Sequence, residues 1–185
     1  HECSSAASDV YKRQASIYGL ESNIDFDINN LLIKNDNMSL NYFINTAIID
    51  SKYTSSYVSG VVGKKVEFVP NLNLKTGIKF GFSNFIFNIQ YSFISKQFTD
   101  SSNASEGNIS GIIGEIPQYQ LLDASMSYLI RKFKFEAGIN NVTNTFYFTR
   151  RATGYPGPGI IPSPPRNMYL TCLLYTSDAA DEHSC

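Results

Sequence analysis

The sequence predicts an all-β protein: part of a transmembrane antiparallel β-barrel, with about seven meandering strands in an open curved sheet. Apolar and polar residues alternate with a period of two in one segment after another. Several of these segments have ten or more residues, which suffices to cross a bilayer at a barrel's tilt, whereas soluble strands usually have about five or six. Short and long connections alternate along the chain, as in outer-membrane barrels with short periplasmic turns and long outer loops.

The first two predicted strands are residues 16–28 and 38–50, joined by a connection of moderate length at residues 29–37. In the first strand, Tyr18, Leu20 and Ile24 alternate with the polar residues Glu21 and Asn23. The second strand alternates less cleanly. Both are long enough to span a membrane as tilted strands.

The third and fourth predicted strands, residues 71–80 and 84–96, are separated by a tight turn at residues 81–83. The fourth strand is expected to direct large apolar side chains to lipid and polar ones to the lumen. The apolar set is Phe85, Phe87, Ile89, Tyr91 and Phe93, and the polar set is Asn88, Gln90 and Ser92.

The last three predicted strands are residues 119–130, 133–140 and 166–171, with Arg131 and Lys132 as a tight turn. The long connections are residues 51–67, 99–118 and 147–165. They concentrate glycine, proline, asparagine and serine, which are turn-forming residues. The predicted sheet therefore has a short-turn end and a long-loop end.

Residues 1–14 and 172–185 are expected not to belong to the protein. Residues 4–14 can be written as codons whose reverse complement, in a shifted frame, encodes residues 172–182. This DNA resembles a transposon-end adapter used in sequencing libraries, so we set both segments aside as adapter-derived before interpreting the fold. Residues 15–171 remain.

The remaining composition argues against an enzyme. Every cysteine and histidine lies in the two end segments, namely His1, Cys3, Cys172, His183 and Cys185. Residues 15–171 therefore lack thiol nucleophiles, imidazole bases and the usual transition-metal ligands, and we expect neither a cofactor nor a metal site. Of 15 Lys and Arg, two lie in the end segments, leaving 13; of 16 Asp and Glu, five lie there, leaving 11. This near-neutral charge gives no reason to expect nucleic acid as a partner.

Several short motifs resemble, in order, the C-terminal strands of TonB-dependent outer-membrane receptors. They are Tyr18-Gly19-Leu20-Glu21, Val69-Pro70-Asn71, Ile116-Pro117-Gln118-Tyr119, Leu122-Asp123-Ala124-Ser125, and Gly138-Ile139-Asn140-Asn141-Val142-Thr143-Asn144 followed by Tyr147. The resemblance covers nearly all of residues 15–171, which it identifies as the C-terminal part of a receptor barrel. It departs from the family at the end, where the terminal aromatic residue is replaced by the segment beginning at Cys172.

This resemblance implies a location in the bacterial outer membrane and a receptor for energised uptake of a siderophore or other iron chelate. The implied partners are outer-membrane lipid and lipopolysaccharide, the iron chelate, and the inner-membrane energy-coupling complex. That complex would act through an N-terminal plug domain, which is expected upstream of this sequence. Residues 150–160 resemble receptors for ferric citrate or related chelates.

The expected substrate-binding residues are Arg150, Arg151, Arg166 and Tyr155. Guanidinium groups suit carboxylates because they can bind both oxygens at once. The alternative for the arginines is packing between loops or contact with lipopolysaccharide.

Other polar and aromatic residues of the loops invite weaker interpretations. Tyr53, Tyr57 and Tyr155 are candidates for ligand stacking, for the aromatic belt at the membrane interface or for loop packing. A Ca²⁺ site at Asp100, Asn103 and Glu106 is disfavoured because their spacing fits no standard loop. Asn140, Asn141 and Asn144 are expected to form structural turn hydrogen bonds.

Two other classes of protein stay open from the sequence. A passive porin or another outer-membrane barrel, including a barrel enzyme, would show the same alternation. A soluble β-sandwich binding module also alternates, with its apolar side chains in a core. An upstream plug domain would distinguish a receptor from a porin, and dependence on detergent would distinguish a membrane barrel from a sandwich.

Overall fold

The computed structural model describes residues 13–154 and 157–175. Within these ranges the strands are β1 (Arg13–Asp27), β2 (Met38–Ser56), β3 (Leu72–Phe82), β4 (Phe85–Ile94), β5 (Gln97–Phe98), β6 (Glu115–Ile116), β7 (Tyr119–Ile130), β8 (Phe133–Asn140), β9 (Phe148–Ala152), β10 (Gly159–Pro162) and β11 (Asn167–Leu174). A five-residue π-helical turn, Asn29–Ile33, lies between β1 and β2. None of the described helical structure is long and apolar enough to span a membrane.

The main sheet of the described residues has seven strands in the order β1-β2-β3-β4-β7-β8-β11. Every neighbouring pair is antiparallel. Two hairpins, β5 with β6 and β9 with β10, lie within the long connections of this meander. The sheet does not close on itself, since β1 and β11 are its outer strands. The predicted all-β architecture, an open antiparallel part of a barrel, is confirmed.

The strand register places apolar side chains in continuous rows on one face. Two such rows are Phe26, Tyr42, Ile78, Ile89, Ala124, Ile139 and Met168, and Leu40, Phe80, Phe87, Met126, Ala137 and Leu170. The other face carries rows such as Asn41, Lys79, Asn88 and Ser125. The alternation predicted for β4 therefore extends across the sheet, giving a lipid face and a lumen face.

The apolar face of the sheet is not covered by the described part of the chain. Leu170 is 78% exposed and Met168 is 70% exposed, although both belong to the apolar rows. The buried apolar side chains among the described residues are Tyr53, Val61 and Ile116, which lie at or near the long-loop end. An uncovered stripe of this extent has lipid rather than a protein core as its natural environment.

Two aromatic side chains on the lumen face lie over glycines of the neighbouring strand. Tyr169 faces Gly138 across β11 and β8, and a Cβ at Gly138 would come within 2.5 Å of the Tyr169 ring. Phe43 faces Gly77 across β2 and β3, where a Cβ would lie 2.8 Å from the ring. Because glycine has no side chain, the two rings can lie flat against the sheet at these positions.

Strands β1, β2 and β11 extend beyond the bounds that the sequence pattern predicts. β2 continues to Ser56, because residues beyond 50 pair with the start of β1 instead of entering the loop. β1 includes Arg13 and Gln14, and β11 includes Cys172–Leu174, which pair with Phe133–Phe135. Strands pair through backbone hydrogen bonds. The pairing can therefore continue into any residues that adopt an extended conformation, including adapter-derived ones. The adapter origin of the end segments stays a proposal.

Candidate functional site

The long connections all lie at one end of the sheet. We call residues 57–71 the first long loop, residues 95–118 the second and residues 141–166 the third. At the other end, β3 is joined to β4 and β7 to β8 by two-residue turns, and β1 is joined to β2 by residues 28–37. This is the sidedness that the sequence predicts, and Arg150, Arg151 and Arg166 lie at the long-loop end.

A side-chain amide connects the first and second loops. Asn103 accepts a hydrogen bond from the Lys65 backbone N–H at 2.7 Å and donates one to the Lys65 carbonyl at 2.9 Å. Close by, the Phe68 N–H donates to the Phe98 carbonyl at 2.9 Å. The amide of Asn103 thus satisfies both polar groups of one peptide residue in the neighbouring loop, as a paired strand would.

Arg151 connects the second and third loops. Its two terminal nitrogens donate to the carbonyls of Gly111 at 2.8 Å and Glu115 at 2.9 Å. The guanidinium also lies over the Phe148 ring, 5.2 Å from its centroid. Hydrogen bonds from a charged group are stronger than neutral ones, and part-burial protects them from competing water. Arg151 therefore acts as a brace between loops in this structure.

The two braced loops approach each other through glycine. Gly111 has φ +70°, and a Cβ there would lie 3.1 Å from the Cα of Gly159, itself at φ +125°. Gly114 has φ +141°, and its Cβ would meet the Cα of Gly107 at 3.0 Å and the Arg151 guanidinium at 3.2 Å. A larger residue would be strained and would hold the loops apart.

The expected substrate-binding residues are not equivalent in the structure. Arg150 and Arg166 are exposed at the mouth, whereas Arg151 is half-buried and engaged with the second loop. Arg150 and Arg151 are consecutive in β9, so their side chains point to opposite sides of the hairpin. Tyr155 lies outside the described residues.

The base of the third loop is fixed by asparagines, as the sequence predicts for this cluster. Buried Asn141 has φ 54°, and its side chain bonds both the N–H and the carbonyl of Thr145, at 2.8 and 2.9 Å. Its own N–H donates to Asp123 at 2.8 Å. Asn144 accepts from the Arg166 N–H at 3.1 Å, which ties the two ends of the loop together.

Tyr53 packs at the base of the first loop and is one of the few buried aromatic side chains of the described chain. It lies in the part of β2 that projects beyond β3, hence above the membrane-spanning region. Burial raises the pKa of its phenol, and the hydrogen bond that it donates to Glu67 raises that pKa further. Tyr53 is thus a loop-core residue, which is one of the three roles that the sequence left open for it.

Sequence reasoning did not find the brace at Asn103. Its side chain is committed to Lys65 of the first loop, and Asp100 accepts a hydrogen bond from the Ser102 N–H at 2.9 Å. Among the described residues no group of acidic, cysteine or histidine side chains is placed to hold a metal ion. Nothing in the local sequence marks Asn103 as a partner of Lys65, because the two are 38 residues apart.

The family model described as TonB dependent receptor-like, beta-barrel matches residues 6–142. The chain belongs to this family. Members of the family are outer-membrane transporters and not enzymes, and the segment described here is part of such an outer-membrane barrel. The match agrees with the receptor interpretation and excludes the soluble β-sandwich module that the sequence alone left open.

Solved receptor structures superpose on most of the chain. The ferric citrate transporter FecA, in its unliganded form, is 25% identical, with a TM-score of 0.77 over 88% of this chain and 24% of its own. The ferric yersiniabactin uptake receptor FyuA from Yersinia pestis shares the fold at 14% identity, with a TM-score of 0.69 over 88% of this chain and 24% of its own. The siderophore receptor PiuA from Acinetobacter baumannii does so at 16% identity, with a TM-score of 0.64 over 88% and 22%. The chain spans about a quarter of the length of these receptors.

Proposed function

We propose that this chain is the C-terminal part of a receptor that takes up an anionic iron chelate of the ferric citrate type. The observation that carries the proposal is the 25% identity with the ferric citrate transporter over 88% of this chain. The exposed cations at the mouth support it, since guanidinium groups bind carboxylate oxygens well.

In this proposal Arg150 and Arg166 contact the ligand, and Arg151 supports the loops that surround it. Arg150 has its side chain free at the surface of the hairpin. Arg166 is held in place through its backbone N–H, which leaves the guanidinium available. Tyr155 is proposed as a further contact on the basis of sequence alone.

Uptake is proposed to be energised by an inner-membrane complex acting through an N-terminal plug domain, as the family's dependence on TonB implies. The barrel would be surrounded by lipid and lipopolysaccharide, with no nucleic acid as partner. A passive porin would take up its substrate without such coupling.

Binding of ferric citrate to the complete receptor tests the ligand, and uptake of radioactive iron tests the coupling. Arg150→Gln and Arg166→Gln should each weaken binding about 10- to 100-fold, since a charge-assisted hydrogen bond contributes roughly 1.5–3 kcal/mol. Lys52→Gln is a matched control, because Lys52 is exposed and paired with Asp50 on β2. Unchanged affinity in both arginine variants would exclude their proposed role. Uptake that continues when the proton gradient is collapsed would instead favour the passive porin.

A further inference from the structure

The connection between β1 and β2 carries an apolar group that points away from the protein. Leu31 is 66% exposed, Leu32 is 80% exposed and Ile33 is 46% exposed. The other turns at this end, Ser83-Asn84 and Arg131-Lys132, are short and polar. Three adjacent exposed aliphatic residues are costly in water, so their position requires an explanation.

Several polar groups of this turn are hydrogen-bonded within it. The Lys34 N–H donates to the Asn29 carbonyl at 2.6 Å, with Lys34 in the left-handed conformation at φ 54°. Asn29 is buried, and its side chain bonds the Asn35 carbonyl at 3.0 Å and N–H at 3.3 Å. At the start of the turn, Asn30 bonds both carboxylate oxygens of Asp27. These bonds hold the turn in a conformation that exposes its aliphatic side chains.

The turn also lies at the depth of the lipid face. The pairing of β1 with β2 ends at Asp27 and Asn41, whereas β2 continues to pair with β3 as far as Met38 and Phe82. The π-helical turn, which packs against β2, therefore occupies the level of the last apolar rows. The row at Leu40 belongs to the lipid face described above. The aliphatic group therefore lies near the level at which that face ends, at the corner where β1 stops.

Basic residues accompany this group at the same end of the sheet. Lys34 follows it directly, and Arg131 and Lys132 form the β7–β8 turn, which lies beyond the β3–β4 turn. A long basic side chain next to aliphatic ones can reach the phosphate of a lipid headgroup while its neighbours enter the acyl region.

We propose that Leu31, Leu32 and Ile33 insert into the periplasmic leaflet of the outer membrane, at the boundary between phospholipid headgroups and acyl chains. The contact fixes the depth of the β1–β2 corner in the membrane, and Lys34 pairs with phospholipid phosphate. This contact does not depend on which ligand the receptor takes up.

Spin labels on single cysteines in the complete receptor test the proposal. The receptor is reconstituted in vesicles of phosphatidylethanolamine and phosphatidylglycerol, after replacement of its own cysteines by serine. Labels are placed by Leu32→Cys and, separately, Leu31→Cys. Lys132→Cys is the control for a polar turn at the same end, and Ile89→Cys is the control for the lipid face.

Insertion predicts that labels at residues 31 and 32 collide with oxygen more often than with a water-soluble nickel chelate, as at residue 89. A nickel-dominated signal like that of residue 132 would place the turn in water and overturn the proposal. Low accessibility to both reagents would mean that protein covers the group, such as another domain of the receptor or a periplasmic partner, and would overturn it as well.

Discussion

At the scale of single residues, the direction of a side chain in the sheet decides what it tolerates. Ile89 lies in an apolar row between Ile78 and Ala124, and its neighbour Gln90 faces the lumen beside Gly77. Ile89→Arg should destabilise the barrel by about 2–4 kcal/mol near the bilayer midplane, because the charge would meet hydrocarbon. Gln90→Arg should cost far less. Unfolding in lipid vesicles measures both, and equal costs would contradict the assignment of the two faces.

Glycine under an aromatic ring is a second residue-scale constraint. A Cβ at Gly138 would lie 2.5 Å from the Tyr169 ring, so Gly138→Ala must displace that ring from the lumen face. We expect a loss of about 1–3 kcal/mol, the usual cost of overpacking. Gly154→Ala is the matched control, since nothing lies within 4 Å of a Cβ there. If Tyr169→Ala removes the difference between the two alanine variants, the ring is the cause.

At the scale of elements, the long loops are tied to one another rather than only to their own strands. Asn103 ties the first loop to the second, and Arg151 ties the second to the third. Asn103→Ala should therefore increase amide hydrogen exchange about 10-fold in both the first and second loops, since it removes hydrogen bonds of about 0.5–1.5 kcal/mol each. The third loop should keep its protection.

Arg151→Met should loosen the second and third loops in the same measurement. Arg150→Met is its control, because Arg150 is exposed on the opposite side of the same strand. The control should weaken ligand binding without changing loop exchange, and Arg151→Met should do both. If Arg151→Met leaves exchange unchanged, the brace contributes nothing in solution.

At the scale of the whole molecule, the chain presents two free strand edges and an uncovered apolar face. β1 and β11 each have one neighbour in the described sheet. Unpaired edges are costly in lipid, and the apolar rows are costly in water. We predict that residues 15–171 expressed alone aggregate without detergent. Sizing and circular dichroism in detergent-free buffer provide the test, and a cooperatively melting monomer would contradict the barrel interpretation.

The extent of the native chain is a related prediction. We propose that residues 1–14 and 172–185 derive from adapter DNA, although β1 and β11 include a few of these residues. Their removal should leave the rest of the sheet paired as it is, with only the Arg13-Gln14 end of the β1–β2 ladder and the Cys172–Leu174 part of the last ladder lost. An uninterrupted genomic read that encodes both segments within one gene would refute the adapter origin.

The sequence by itself determined the strands, the two faces of the sheet and the two kinds of end. These depend on period-two alternation and on the length and composition of the connections, which are local properties of the chain. The identity of Ile89 and Gln90 as neighbours of opposite polarity already assigns each to a face. The turn role of Asn141 was recognisable because its side chain bonds nearby backbone at Thr145. Asn140 and Asn144 were predicted in the same way, but their side chains bond Asn167 and the Arg166 N–H, which are 27 and 22 residues away.

Only the tertiary structure decided which loop residues act together. Asn103 bonds Lys65 and Arg151 bonds Gly111 across 38 and 40 residues, and no local pattern specifies such a pair. The same holds for Tyr169 over Gly138, which depends on strand register. Arg150 and Arg151 are adjacent residues of the same type, so the sequence does not distinguish them. The second loop packs against one side of β9, and this makes Arg151 a brace and leaves Arg150 exposed. The local sequence pattern determines to which face of the sheet a strand residue points. Contacts between distant loops arise because the sheet brings the strands that carry those loops side by side.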